Sequence, residues 1–128
     1  MNDKLTPVEW ELMEAIWRLD GSPSVREVLD HAYPGGEKAY TTVQTIMNTL
    51  EKKGMLRRRK IGLVNFYTPN QSREEMVKVE LRHLISRIFN GSVPALASTL
   101  LDSHDLTTEE ISAIQQLLDE KEAQLKGE

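Results

Sequence analysis

The apolar residues in the first half of the chain recur with a helical period in three stretches. In the third stretch, Val43, Ile46, Met47 and Leu50 fall on one stripe, as the buried face of an amphipathic helix requires. The residues opposite that stripe are polar but uncharged. The spacing, with the glycines and prolines that interrupt it, predicts three consecutive α-helices at 7–19, 25–33 and 40–53.

Several helix starts carry a capping box, in which a Ser or Thr and the Glu three residues later each satisfy a backbone N–H group of the first turn. The pairs are Thr6/Glu9, Ser24/Glu27, Ser72/Glu75 and Thr107/Glu110. The first pair encloses Pro7, which suits the first helical position. These pairs predict where four of the helices begin.

After the third helix the pattern changes to one typical of strands. Two β-forming stretches, 56–60 and 63–68, flank Ile61-Gly62, and Gly62 can supply the positive φ of a tight turn. Gly54 is the expected end of the third helix, and Pro69 ends the second stretch. The sequence therefore predicts a β-hairpin directly after the third helix.

The remaining sequence predicts only helices: one over 73–89, a shorter one after Ser92, and one after Thr107. Their apolar seams are more than a short acidic segment can bury alone, and a two-fold interface between two copies would cover them. The residues predicted for dimerisation are Val77, Leu81, Leu84, Ile88, Leu96, Leu100, Ile111, Ile114 and Leu118.

Charge is distributed unevenly along the chain. The formal net charge is -4 and the sequence pI is about 5.4. Residues 52–69 nevertheless carry six basic side chains and no acidic one. Residues 71–128 hold six Lys or Arg against eleven Asp or Glu, so we expect this half to avoid a polyanion.

Composition excludes several classes of site. The chain has no cysteine, which rules out disulfides and thiolate metal sites. No apolar run approaches the roughly 20 residues that span a bilayer, and the N-terminus lacks the layout of a signal peptide. We expect a cytoplasmic protein with no membrane partner and no cofactor.

Three helices followed by a hairpin form the layout of a winged helix-turn-helix. The predicted fold is mainly α, with a winged helix-turn-helix at 1–70 and a helical dimerisation domain at 71–128. Gln and Asn can bond the edge of adenine, and a Thr methyl can contact the methyl of thymine. The residues predicted from this pattern to read bases are Thr41, Gln44, Thr45 and Asn48.

The basic run predicts contacts to DNA phosphates, which supply much of the affinity of such proteins. The predicted residues are Lys52, Lys53, Arg57, Arg58, Arg59 and Lys60. Adjacent strand residues point to opposite faces, so the last four cannot all meet DNA. Phosphate contacts should fall on one alternating pair, and we favour Arg58 and Lys60, because their proximity to the hairpin tip should give them the longest reach.

Other interpretations fit parts of the same pattern. The basic run could be solvated surface, and the winged helix could bind an acidic protein without specific DNA binding. An enzyme is disfavoured, because no nucleophile–base pair or phosphate-cradling loop is present and no catalytic residue is predicted. Asp102-Ser103-His104-Asp105 could suggest a metal site, but a polar turn between helices explains it better, and we predict no metal.

Three segments resemble the BlaI/MecI family of bacterial repressors: "LTPVEWELMEAIW" from Leu5, "TTVQTIMNTLEKKGML" from Thr41, and "FYTP" from Phe66. A weaker similarity continues through "RIFNGSVPALASTLL" from Arg87. The resemblance implies a winged-helix domain, a helical dimerisation domain and binding to inverted-repeat operators in double-stranded DNA. The match to the family's recognition helix implies that Thr42, Gln44 and Thr45 contact DNA. Thr42 could equally cap the helix.

The chain departs from the family at three places. Family members inactivated by proteolysis are cleaved at an Asn-Phe bond, and the matching positions here are Thr99-Leu100. A sensor protease of unknown identity is therefore implied only as a possible partner. Copper-responsive relatives use cysteines, which this chain lacks. Leu63 stands where the family often has Arg, and the Arg57–Arg59 run could replace that charge.

Overall fold

The computed structural model describes residues 4–103 and 105–127, and that part of the chain contains six α-helices and one antiparallel hairpin. The predicted winged helix-turn-helix followed by helices is confirmed. In chain order the elements are α1 (Pro7–Leu19), α2 (Val25–Ala32), α3 (Tyr40–Lys52), β1 (Leu56–Ile61), β2 (Val64–Pro69), α4 (Arg73–Phe89), α5 (Val93–Ser103) and α6 (Thr108–Lys126).

The helix starts follow the predicted caps. At Thr6, Ser24, Ser72 and Thr107 the side-chain oxygen accepts the backbone N–H three residues later. In each case the Glu at that later position accepts the N–H of the capping residue in return. All four capping boxes are therefore confirmed, and short-range hydrogen bonds account for where these helices begin.

The end of α3 is fixed by a Schellman motif. Gly54 has a φ of 81°, its N–H bonds to the carbonyl of Glu51, and the next N–H, of Met55, bonds to that of Leu50. Lys53 is the C-cap, so α3 ends one residue before the predicted limit. Buried Met55 and Leu50 supply the apolar pair that usually accompanies this motif.

The hairpin is confirmed, but its turn lies one residue later than predicted. Ile61 pairs with Val64 inside the strands, and the two turn residues are Gly62 and Leu63 rather than Ile61 and Gly62. Gly62 has a φ of 64°, whereas Leu63 is not in the positive-φ region. Positive φ at the first turn position alone is typical of a type II′ turn, which explains the shift.

One core holds α1, α2, α3 and the hairpin together. Its fully buried side chains come from every one of these elements: Leu12, Ile16, Val28, Val43, Met47, Leu50, Leu56 and Tyr67. Three of the four residues on the predicted α3 stripe are completely buried, and Ile46 packs partly buried against them. The opposite face of α3 is thus left for another role.

The first half of α4 packs on this core. Met76 is buried in it, and the Arg73 guanidinium contacts both carboxylate oxygens of Glu14, at 2.7 and 3.2 Å. The indole N–H of Trp17 donates to the Gln71 carbonyl at 3.0 Å. By its contacts the chain divides into two compact units between His83 and Leu84. The functional boundary after residue 70 stays a prediction.

The second unit contains the end of α4 with α5 and α6. Among its described residues, no side chain is fully buried. Several large apolar side chains are instead exposed: Ile88, Val93, Leu100, Leu101, Ile111, Leu117, Leu118 and Leu125. This unit therefore has apolar faces without the closed core that the first unit possesses.

Within the described residues, no single helix is both long and apolar enough to cross a membrane. Among the described helices, only the bent pair of α4 and α5, taken together, is long and apolar enough.

An ion pair joins the start of α1 to the end of α3. The Lys53 ammonium lies 2.6 Å from Glu9 Oε1 and 3.3 Å from the Lys4 carbonyl oxygen. Glu9 is 5% exposed although it is charged. Burial alone would raise the pKa of Glu9, but hydrogen bonds from Lys53 and Thr6 hold it below its usual value. Glu9 thus serves the α1 cap and the α3 end at once.

Lys53→Met should destabilise the protein by about 1–3 kcal/mol at pH 7, because it leaves a nearly buried carboxylate without its cation. Since the folded pKa of Glu9 is lowered, the pair stabilises above the unfolded value of about 4.3 and loses its effect as pH falls through the folded pKa. Urea unfolding at several pH values measures this. The matched control, Lys52→Met at the exposed neighbouring lysine, should change stability little, and equal losses in both variants would contradict the role of the pair.

Candidate nucleic-acid interface

The polar face of α3 is open and carries an unpaired amide. Thr41, Thr42 and Thr45 are exposed, and Gln44 and Asn48 are partly exposed. Within the described residues, the Gln44 side chain forms no hydrogen bond, so its donors and acceptor are available to a ligand. Thr42 lies in the first turn of α3 after the N-cap Ala39, so it is not the cap.

Thr45 is partly committed to its own helix. Its hydroxyl donates to the Thr41 carbonyl at 2.9 Å, and Thr49 repeats this bond to the Thr45 carbonyl at 3.0 Å. A threonine bonded in this way keeps oxygen lone pairs and its methyl group for an external partner. Thr45 thus suits apolar contact with a thymine methyl better than donation to a base.

Asn48 connects α3 to the hairpin. Its Oδ1 accepts a 2.7 Å hydrogen bond from the Tyr67 hydroxyl. Burial raises the pKa of Tyr67 by more than the nearby Arg58 lowers it, so the hydroxyl remains a donor at neutral pH. One acceptor site of the Asn48 amide is therefore used inside the protein. Asn48, predicted as a base reader, also positions the wing.

The four cations of β1 divide between two faces, as strand geometry requires. Arg58 pairs across the hairpin with Tyr67 and Lys60 with Asn65, so these two share the face of the side chain that bonds α3. Arg57 and Arg59 lie on the opposite face. All four are exposed, so the strand presents positive charge on both sides.

These cations differ in how far they are already paired. The Arg58 Nε lies 3.6 Å from Glu51 Oε2, and the Arg57 guanidinium donates to the neutral Asn70 Oδ1 at 2.9 Å. Arg59 and Lys60 have no hydrogen-bond or ion-pair partner in the part of the chain that the structure describes. Their charges are thus the most available to an anion.

The two lysines at the end of α3 have different surroundings. Lys52 is exposed and, like Arg59, has no partner among the described side chains. Lys53 is bonded to Glu9, and only 19% of its side chain is exposed. Lys53 therefore has a structural role, and its charge is less available to a ligand than that of Lys52.

The structure adds residues that the sequence patterns did not select, at the other end of α3. The Arg26 guanidinium lies over the Tyr40 ring, 5.2 Å from its centroid, and Lys38 lies 5.4 Å from that of Tyr33. Arg26 is also 3.7 Å from Asp30, an exposed pair that contributes little. No local sequence pattern joins Arg26 to Tyr40, because their contact depends on how α2 packs against the start of α3.

The residues predicted for dimerisation lie mostly on exposed surfaces. Val77, Leu81, Ile88, Leu100, Ile111 and Leu118 are exposed, and Leu84, Leu96 and Ile114 are half-buried. The described residues contain no group of three or more His, Asp or Glu side chains that could hold a metal ion. His104, from the Asp-Ser-His-Asp segment, lies outside the described residues.

Comparison with known proteins adds an independent result. A family model described as penicillinase repressor matches residues 5–120. The chain belongs to this family. The penicillinase repressor of Bacillus licheniformis is 30% identical over 117 residues, which are 91% of each chain. MecI of Staphylococcus aureus (strain N315), a methicillin resistance regulatory protein, is 21% identical over 92% of this chain and 95% of its own.

The resemblance to the BlaI/MecI family is thereby confirmed, and the protein is a transcriptional repressor and not an enzyme. Among solved structures, that of the regulator BpsR from Bordetella bronchiseptica aligns with 94% of this chain and 76% of its own. Its sequence identity is 19% and its TM-score is 0.46, which is too low to establish a shared fold.

Proposed function

We propose that the protein represses transcription in the cytoplasm as a homodimer that binds inverted-repeat operators in double-stranded DNA. The observation that carries this proposal is the arrangement around α3. An open polar face with a free Gln44 amide adjoins a wing whose Arg59 and Lys60 have no partner among the described residues. In an acidic chain, this combination favours a partner with hydrogen-bonding edges between phosphates.

The polar face of α3 is proposed to read bases in the major groove. Gln44 offers both a donor and an acceptor, which matches the adenine edge, and Thr45 offers a methyl group beside it. Thr41 and Thr42 occupy the first turn, where a recognition helix commonly approaches base edges. Asn48 supports this reading chiefly by holding the wing through Tyr67.

Phosphate contacts are proposed on both sides of α3. On the wing side they come from Lys52 and from the face of β1 that Lys60 shares with Arg58, with a smaller share for Arg58 because Glu51 already offsets its charge. Arg57 and Arg59 lie on the opposite face of the strand and are not assigned phosphate contacts. On the other side, Arg26 and Lys38 extend the basic surface beyond the sequence prediction.

The dimer proposal rests on the second unit. A group of helices with exposed leucines and isoleucines, and with no fully buried side chain among its described residues, gains a core by pairing with a second copy. A two-fold dimer presents two α3 helices to two half-sites, and an inverted repeat has the same symmetry.

A sensor protease of unknown identity enters the proposal only as a partner that the family suggests. The bond matching the family's cleavage pair, Thr99-Leu100, lies inside α5. A helical backbone must open locally before a protease can bind it. We therefore include no cleavage at this bond in the proposed function.

Leu84→Asp combined with Ile88→Asp should yield monomers with much weaker operator binding, because two charges would be placed on the proposed interface. Analytical ultracentrifugation measures the mass, and DNA titration measures the affinity. The control, Leu63→Asp at an exposed leucine of the other unit, should sediment like the unaltered protein. A double variant that still sediments as a dimer would show that the interface lies elsewhere.

Gln44→Ala should weaken binding to an operator selected from random duplexes by about 1–3 kcal/mol and leave binding to random DNA nearly unchanged. Fluorescence anisotropy on both duplexes measures the two effects. Gln71→Ala, a change at an exposed glutamine outside α3, is the matched control. An equal loss on specific and random DNA would mean that Gln44 does not read bases.

Lys60→Ala should lower the slope of log affinity against log salt by roughly 0.9 for each protomer, or about 1.8 for a symmetric dimer. Arg58→Ala should change it less, because Glu51 competes with phosphate for that guanidinium. Lys121→Ala on α6 serves as the control and should leave the slope unchanged. Near-zero changes at Lys60, Arg59 and Arg58 alike would show that the basic run is solvated surface.

A further inference from the structure

One acidic residue lies in the middle of the basic segment. Between Glu37 and Glu74 the sequence contains eight Lys or Arg residues and a single acidic one, Glu51. Glu51 lies in the last turn of α3, at the negative end of the helix dipole, where a carboxylate is disfavoured. This position therefore favours neither the helix nor the binding of phosphates, and it calls for another explanation.

The contact with Arg58 does not make Glu51 an important stabilising residue. The Arg58 Nε lies 3.6 Å from Glu51 Oε2, beyond hydrogen-bond distance, and the two side chains are 43% and 31% exposed. An exposed pair of this kind contributes little to stability. Within the described residues, the Glu51 side chain accepts no hydrogen bond, so its carboxylate oxygens are available to an external donor.

Glu51 lies on the face of α3 that is proposed to read bases. Gln44, Asn48 and Glu51 are separated by four and three residues, so their side chains line one stripe of the helix. Recognition helices that lie along the major groove contact bases through residues with this spacing, over two turns. Seven residues at about 1.5 Å each place Glu51 about 10 Å beyond Gln44, or about three base-pair steps of 3.4 Å.

The chemistry of a carboxylate selects one base. An ionised carboxylate only accepts hydrogen bonds. In the major groove, cytosine presents an amino donor alone, guanine presents acceptors alone, and adenine places an acceptor beside its donor. Thymine presents an acceptor and a methyl group. The charges of Lys52, the next residue in the chain, and of Arg58 reduce the repulsion between this carboxylate and nearby phosphates.

We propose that Glu51 determines specificity by accepting a hydrogen bond from the amino group of a cytosine in the major groove of each half-site. This inference rests on the proposed function and adds to it a residue that the sequence patterns did not select. On DNA without cytosine at that position, the carboxylate meets acceptors and phosphates and opposes binding. One charge thereby favours the operator and disfavours other sequences.

The base preference at one operator position tests this contact. In an operator selected from random duplexes, each base pair is changed in turn, and fluorescence anisotropy measures the affinity. About three base pairs from the position that Gln44 reads, the unaltered protein should prefer cytosine by about fivefold or more per half-site, the lower end for a base contact. Glu51→Ala should abolish this preference. Glu51→Gln should shift it to adenine, because an amide can bond both edge atoms of that base.

A modified base isolates the amino group from the rest of the base pair. N4-methylcytosine still pairs with guanine, but a methyl group replaces the N–H group that faces the major groove. This operator should bind the unaltered protein about fivefold or more weakly per half-site, and it should bind Glu51→Ala as well as the unmodified operator does. Gln44→Ala should keep the preference for cytosine.

Glu120→Ala, the same change at an exposed acidic residue of α6, is the matched control and should keep every base preference. Because the ion pair of Glu51 is exposed, both Glu51 variants should keep the unaltered melting temperature.

The outcomes distinguish the cytosine contact from the function on which it rests. If the unaltered protein selects no duplex sequence, the proposed function fails and the contact with it. If it selects an operator but Glu51→Ala keeps every base preference, only the role of Glu51 is overturned. Equal gains in affinity for operator and random DNA in Glu51→Ala would show that the carboxylate only repels phosphates, and that result would also overturn the proposal.

Discussion

Tyr67 is the buried contact on which the winged-helix unit depends. Its ring has no exposed surface, its hydroxyl bonds to Asn48 on α3, and its backbone N–H bonds to the Pro23 carbonyl just before α2. One residue of β2 thus sets the wing relative to both helices of the helix-turn-helix. A binding surface made of separate elements needs such a connection, because its side chains must keep fixed spacings to match a ligand.

The features that the sequence predicted best depend on neighbours within a few residues. Capping boxes and the glycine after α3 act over three to five positions, so their residues carry the whole signal. The error in the hairpin turn has the same origin. A glycine of positive φ can occupy either central position of a two-residue turn, and the local pattern around Gly62 does not distinguish them.

The composition of the candidate site was predictable, but the availability of its members was not. Lys53 and Glu9 are 44 positions apart, and Asn48 and Tyr67 are 19 apart. Neither pairing follows from a local sequence pattern. Residues of the basic run that look alike in the sequence therefore have different surroundings in the structure. The Arg26–Tyr40 contact was missed for the same reason, since it depends on how α2 packs against the start of α3.

The open apolar faces of the second unit should make the stability of the protein depend on its concentration. If this unit completes its core by pairing with a second copy, as proposed, its stability rises with protein concentration by mass action. Newly made chains at low abundance would be exposed to proteolysis before they could pair. Synthesis would then have to exceed a threshold before control of the target genes begins, and occupancy above that threshold would rise more steeply than the amount of protein.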